Sequence, residues 1–203
     1  MTAFARQFND TLPRPGLIHT IGNVPGTGAE DLSQNTTANL YSSIIAQHYL
    51  TPQLVISPLE NSEKVVADEN YDHTAYSPAN DVYWDASFAA DLATVSNVSY
   101  AHIPLVGEWA AKEWRVTGNS NVVLLGDRGP EDGIANPASV TCTNKRALWK
   151  GAVLFADGHS EFWNSFDGSD TRQQPFDKIF APGDNLISFT KSIIDGKAQL
   201  QWD

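Results

Sequence analysis

The chain has 203 residues, 41% hydrophobic and 18% charged, a composition that supports a packed globular domain and argues against disorder. Its formal net charge is −11. Such a charge repels phosphate backbones, so it argues against nucleic acid as a partner and favours cations, basic partners or simple solubility. Cys142 is the only cysteine, which excludes an intrachain disulfide and a cysteine-based zinc site. No apolar run approaches the length that crosses a bilayer.

The first regular element follows a segment rich in proline, glycine and threonine. Residues 11–30 carry this composition and are expected to form an extended or looped lead-in. Apolar side chains then recur at steps of three and four residues, which predicts a helix over about 34–48 with one buried face. They are Leu40, Tyr41, Ile44, Ile45 and His48. Because His48 shares this apolar face, we expect it to be a core histidine.

The middle of the chain is polar but contains scattered aromatic residues. Residues 60–97 combine Asp, Asn, Ser and Pro with five large rings. A mobile linker would not need so many apolar rings, so this stretch is expected to be a long ordered excursion that its aromatic residues attach to the body.

Four later segments predict strands. Residues 98–105 alternate apolar and polar side chains, and residues 121–130 hold a continuous apolar run stopped by Gly126, which is typical of a strand buried on both faces. Two further segments are each divided by an Asp-Gly pair, at Asp157-Gly158 and Asp195-Gly196. Such a pair can place both central residues at positive φ, as a two-residue hairpin turn requires.

Hairpin-linked strands after an early helix predict an α+β fold in which an antiparallel sheet packs against the N-terminal helix, with long ordered loops. We expect a single domain over 1–203. Residues 1–30 would be its lead-in and residues 31–203 its globular head.

The strongest candidate for a functional motif is Asp157-Gly158-His159. Asp157 and His159 are candidate metal ligands or an acid–base pair, joined by Asp127 if the two strands are neighbours. The simpler interpretation, which Asp-Gly favours, is a hairpin turn that His159 merely flanks. Asp127 and Arg128 directly follow a buried strand. A structural salt bridge at the strand end explains these two residues at least as well as a functional role does.

Signatures of known enzyme and metal sites are missing from the sequence. There is no HExxH, no G-x-S-x-G, no Walker loop and no G-x-G-x-x-G. Residues Asp167 to Asp170 have the sequence DGSD, whose spacing does not fit an EF-hand. Two interpretations of this segment are left, a solvated loop and an irregular calcium-binding loop. We therefore expect no enzyme activity and no cofactor, with calcium as the alternative.

Several segments together resemble one protein family. They are TANLYSSIIAQHYLTPQLVISPLE (37–60), SNVSYAHIPL (96–105), NVVLLGDRGP (121–130) and LWKGAVLFADGHSEFW (148–163). In this order they are similar to bacterial prepilin-type or pseudopilin-like proteins, which carry a late Asp-Gly-His hairpin. The resemblance covers roughly residues 30–165 and rests on the order of the segments, because no single motif is specific.

The resemblance implies a structural subunit with an extracytoplasmic α+β head, in the periplasm or at the cell surface. Its partners would be other pilin-like subunits or a secretion machinery, and some related heads bind calcium. The family also has a histidine ahead of the Asp-Gly pair, at the position of Ala147 here. A membrane would be reached only through an anchor helix. This chain begins without one, so we expect a trimmed form or a soluble reuse of the fold.

A second interpretation belongs to another class. Five aromatic residues stand beside acidic ones, and aromatic faces with carboxylates suit sugars, which points to a secreted carbohydrate-binding module or a small hydrolase. They are Tyr71, Tyr83, Trp84, Trp109 and Trp114. A concave site with a close pair of carboxylates would support this interpretation. Burial of the aromatic residues in the core would argue against it.

Overall fold

The computed structural model describes residues 10–22, 24–130, 149–165 and 186–202. Within these ranges the helices are α1 (Pro15–Ile18), α2 (Thr37–Ala46) and α3 (Gly107–Glu113). The strands are β1 (Tyr100–His102), β2 (Val123–Asp127), β3 (Gly151–Phe155), β4 (Ser160–Trp163), β5 (Phe189–Ile194) and β6 (Lys197–Gln201). Short 3-10 helices occupy Leu32–Gln34, Pro52–Val55 and Pro78–Asn80. None of the described helices has the length and apolar character needed to span a bilayer.

Helix α2 is the central helix, and it is shorter than its sequence pattern predicts. The Thr36 side chain accepts a hydrogen bond from the Asn39 amide and caps its first turn. Leu40 and Ile44 are fully buried, as predicted. The prediction for His48 is wrong. The helix ends at Ala46, and His48 adopts a left-handed φ of 60°, so its exposed side chain leaves the apolar face.

Four strands form an antiparallel sheet in the order β1-β2-β3-β4, and β5 and β6 form a second, two-stranded sheet. Strand β2 is buried along most of its length, as its apolar run predicts. Gly126 is required there by close packing, because an added Cβ would lie 2.9 Å from Ile187 Cδ1 and 3.1 Å from the Ala152 carbonyl oxygen. The described residues therefore form an α+β fold with antiparallel sheets.

The two Asp-Gly pairs make different turns. In the β5–β6 hairpin Asp195 and Gly196 both have positive φ and Ile194 pairs with Lys197, which is the predicted two-residue turn. In the β3–β4 hairpin only Gly158 has positive φ. There the Phe155 amide donates to the His159 carbonyl and the Gly158 amide to the Phe155 carbonyl, which gives a three-residue loop with glycine in the left-handed position.

Part of the predicted lead-in, residues 11–20, belongs to the packed body. Leu12 is buried in the core, and the Trp114 indole donates a 2.8 Å hydrogen bond to the Pro13 carbonyl oxygen. Helix α1 follows directly. Residues 11–20 are thus packed against the body at the end of helix α3, whereas Ile21 and Val24 are exposed.

A fully buried histidine joins the helix to both sheets. The Nδ1 atom of His102 donates to the Ile103 carbonyl oxygen over 2.7 Å, because a carbonyl can only accept. Its Nε2 atom therefore accepts from the Thr37 hydroxyl at 2.8 Å, and that hydroxyl in turn accepts from the Thr190 amide at 2.8 Å. His102 also exchanges backbone hydrogen bonds with Ser188, which brings the segment leading into β5 beside β1.

Stability should decrease in acid because of this histidine. Burial lowers the pKa of His102 from 6.5 to about 4, opposed in part by its bond to the Ile103 carbonyl. Below about pH 6.5 the unfolded chain takes up a proton that the folded chain refuses until about pH 4. We therefore expect the free energy of unfolding to fall by about 3 kcal/mol across this window, as measured by urea denaturation.

The matched variants are His102→Gln, which should lose this dependence, and His73→Gln, which should keep it. If His102→Gln does not fold, an NMR titration of the imidazole signals of the native protein tests the prediction instead. A titration of His102 near pH 6.5 would contradict the prediction.

Candidate functional site

The structure separates the three predicted metal-site residues into two places. Asp127 ends strand β2, whereas Asp157 and His159 lie in the β3–β4 hairpin. Because Val123 pairs with Phe155 in the antiparallel register, Asp127 stands beside the start of β3, roughly 15 Å of strand away from that hairpin. Asp157 and His159 are therefore brought together, and Asp127 is not brought to them.

Asp127 is a buried structural carboxylate. Its Oδ2 atom accepts a 2.7 Å hydrogen bond from the Ala152 amide. Burial raises the pKa of Asp127, and the Ala152 amide opposes that rise. Gly151 lets the two strands approach, because an added Cβ would lie 2.8 Å from the Asp127 Cβ. These contacts tie Asp127 to strand β3.

Arg128 and Glu60 form a buried ion pair. The Arg128 Nε and Nη2 atoms donate to the two carboxylate oxygens of Glu60, each over 2.8 Å. Their side chains are only 2% and 3% exposed. The Trp149 indole donates to the Arg128 carbonyl oxygen. The sequence suggested a salt bridge at Arg128, but Glu60 lies 68 positions away and no local pattern identifies it as the partner.

The β3–β4 hairpin carries an accessible group of ionisable side chains. The His159 Nδ1 atom is hydrogen-bonded to Asp157 Oδ1, and the imidazole stacks on the Phe155 ring with 4.2 Å between centroids and 6° between planes. The backbone amide and then the imidazole of His159 lower the pKa of Asp157. Glu161 lies on the other side, with Oε1 3.8 Å from His159 Nε2. Sequence reasoning missed Glu161, although its alternation with His159 was visible.

The five aromatic residues that the carbohydrate interpretation needs at the surface are largely internal. Tyr71, Tyr83, Trp84 and Trp114 are buried, and Trp109 is partly buried against the core. Their burial argues against a sugar-binding face made by these residues. It agrees with the expectation that the aromatic residues of 60–97 attach this stretch to the body. The exposed tyrosine is instead Tyr76.

The concave regions in the described part of the chain include a larger and a smaller one. The larger, the tyrosine cavity, has a volume of about 690 Å³. Its lining includes Thr11, Leu12, Arg14, Leu17, Tyr76 and Tyr83. The smaller, the sheet groove, is an apolar depression of about 240 Å³ between the sheet and the segment after α2. It is lined mainly by Tyr41, Leu54, Tyr100, Leu125, Ala152 and Leu154.

Two candidates that the sequence raised, Cys142 and the Asp167 to Asp170 loop, lie outside the described residues. A calcium site in that loop stays a prediction. Within the described ranges, no group of three or more His, Cys, Asp or Glu side chains is arranged to hold a metal ion.

Comparison with protein-family models, with curated proteins and with solved structures finds no match to this chain.

The buried ion pair gives a stability prediction. Arg128→Met leaves the Glu60 carboxylate buried without its cation, so we expect a loss of about 3–5 kcal/mol in the free energy of unfolding. The matched control is Lys191→Met, which breaks the 2.8 Å pair between Lys191 and Asp91, where Lys191 is 55% exposed. That change should cost no more than about 1 kcal/mol. Urea denaturation measures both, and equal losses would contradict the assignment.

Proposed function

We propose that this chain is a noncatalytic structural or assembly subunit that resembles the soluble head of a pseudopilin or a type IV pilin-like protein. The observation that carries the proposal is the architecture. Helix α2 lies against β1 and β5, and the antiparallel four-stranded sheet ends in the Asp-Gly-His hairpin. The resemblance implies an α+β head with an antiparallel sheet and a late Asp-Gly-His hairpin, and these coarse features support the proposal. Its partners would be other pilin-like subunits or a secretion machinery, outside the cytoplasm.

The use of the interior polar groups supports a role without catalysis. A catalytic group must reach its substrate, yet His102, Asp127 and Arg128 are almost completely buried and hydrogen-bonded to the protein. Each of them satisfies backbone or side-chain partners that burial would otherwise leave unpaired. Their contacts account for their presence without any reaction.

The sheet groove supports a role in assembly. Contacts between subunits need apolar surface that the isolated chain leaves open. Leu54 is 62% exposed at this groove, and the surrounding side chains are apolar. A neighbouring subunit that covers Leu54 would remove this surface from water.

The proposal is tested by photocrosslinking in the cells that naturally make the protein. A benzophenone amino acid replaces Leu54 in one strain and Asn80, which is exposed outside the groove, in the other. We expect irradiation of the Leu54 strain to give a ladder of adducts that contain the chain and further pilin-like subunits. The Asn80 strain should give less. Monomeric protein alone in both strains would overturn the proposal.

The second candidate, a carbohydrate-binding module or small hydrolase, is favoured by the tyrosine cavity. Tyr76 is 62% exposed, and its ring meets the Tyr83 ring edge-to-face with 6.3 Å between centroids. A volume of about 690 Å³ can take a small ligand. No carboxylate is found among the described residues that line the cavity, so it supports binding better than hydrolysis.

Binding to a panel of immobilised glycans tests this candidate. Tyr76→Ala should weaken any binding about tenfold, because a sugar would lose its aromatic platform. Phe162→Ala is the matched control, since Phe162 is an exposed ring outside the cavity. Absence of glycan binding, or equal weakening by both changes, would reject a carbohydrate site in the tyrosine cavity.

A further inference from the structure

We propose that the β3–β4 hairpin binds one divalent transition-metal ion of the zinc type between His159 Nε2 and Glu161 Oε1, with Asp157 as the residue that positions the imidazole. The remaining coordination positions would be filled by water. The inference is independent of the proposed function, since it rests only on the hairpin.

The first support is the fixed orientation of His159. Because Asp157 Oδ1 is a carboxylate oxygen that accepts, the bond between them places a proton on His159 Nδ1. The Nε2 lone pair is then available as a ligand. Stacking on Phe155 fixes the ring plane. A carboxylate that holds the second nitrogen of an imidazole is the usual outer partner of a metal-bound histidine.

The second support is the orientation of Glu161. The indole of Trp163 donates a 2.7 Å hydrogen bond to Glu161 Oε2, which holds this carboxylate in place. The other oxygen, Oε1, lies 3.8 Å from His159 Nε2, too far for a hydrogen bond. Two ligands of a tetrahedral zinc ion lie about 3.4 Å apart, so a small side-chain movement lets both atoms bind one ion.

Charge and ligand type select the ion. Two carboxylates flank one imidazole, so the hairpin attracts a cation, as does a chain with a net charge of −11. Imidazole suits zinc, copper and nickel, whereas calcium prefers six to eight oxygen ligands. The site would therefore discriminate against calcium. It also differs from the sequence prediction, because Glu161 replaces Asp127 and Asp157 becomes a positioning residue.

Isothermal titration with zinc chloride, and separately with calcium chloride, tests the proposal on the full chain. We expect one zinc ion per chain and no calcium binding at this hairpin. His159→Gln and Glu161→Gln should each weaken zinc binding at least about tenfold, and Asp157→Asn about 10- to 100-fold. The matched control is His73→Gln, which removes an exposed histidine that stacks on His48 with 5.0 Å between centroids.

Nitrogen-15 NMR of the imidazoles separates positioning from a merely structural effect. In the native protein His159 should carry its proton on Nδ1, and zinc should shift its Nε2 signal. Asp157→Asn should mix the two tautomers while the melting temperature changes little, because the hairpin is exposed. If a variant does not fold, this measurement on the native protein still tests the proposal.

Three results would overturn the proposal. One is no zinc binding up to about 1 mM. Another is zinc binding that His73→Gln removes and His159→Gln leaves intact. The third is a zinc-induced shift at another histidine with none at His159.

Discussion

The structure depends on one histidine that must stay neutral. His102 accepts the Thr37 hydroxyl proton on one nitrogen and donates to the Ile103 carbonyl with the other, and the same hydroxyl receives the Thr190 amide. Helix α2, the four-stranded sheet and the second sheet thus meet in one chain of hydrogen bonds. Because the site excludes water, a proton on His102 or the loss of the Thr37 hydroxyl would leave buried polar groups unpaired. These hydrogen bonds connect the three elements, and the apolar core packs them together.

The same rule operates at the end of strand β2, where Arg128 pairs with Glu60 and Asp127 binds the Ala152 amide. His102, Asp127 and Arg128 are therefore held by contacts within the protein. Function is left to the surface, which offers the sheet groove, the tyrosine cavity and the β3–β4 hairpin. Such a division would suit the assembly role proposed above, in which the surface makes the contacts between subunits.

Turn geometry decides what the β3–β4 hairpin presents. A two-residue turn would have paired different residues across the loop. The three-residue loop with Gly158 in the left-handed position instead pairs Phe155 with His159, which allows their rings to stack. Asp157 then reaches the imidazole from within the loop. The same Asp-Gly dipeptide at Asp195 makes a tighter turn. The chemistry of the hairpin thus follows from its backbone.

Local sequence accounts for much of the fold. The apolar spacing around Leu40 and Ile44 predicts helix α2, and the run that ends at Gly126 predicts β2, because both patterns reflect periods that the backbone itself imposes. Tertiary structure decided the rest. Glu60 pairs with Arg128, which is 68 positions away, and no local sequence pattern predicts this ion pair. His48 leaves the helical face because the helix ends early, and Asp127 is kept from His159 by strand register, which depends on how distant segments pack.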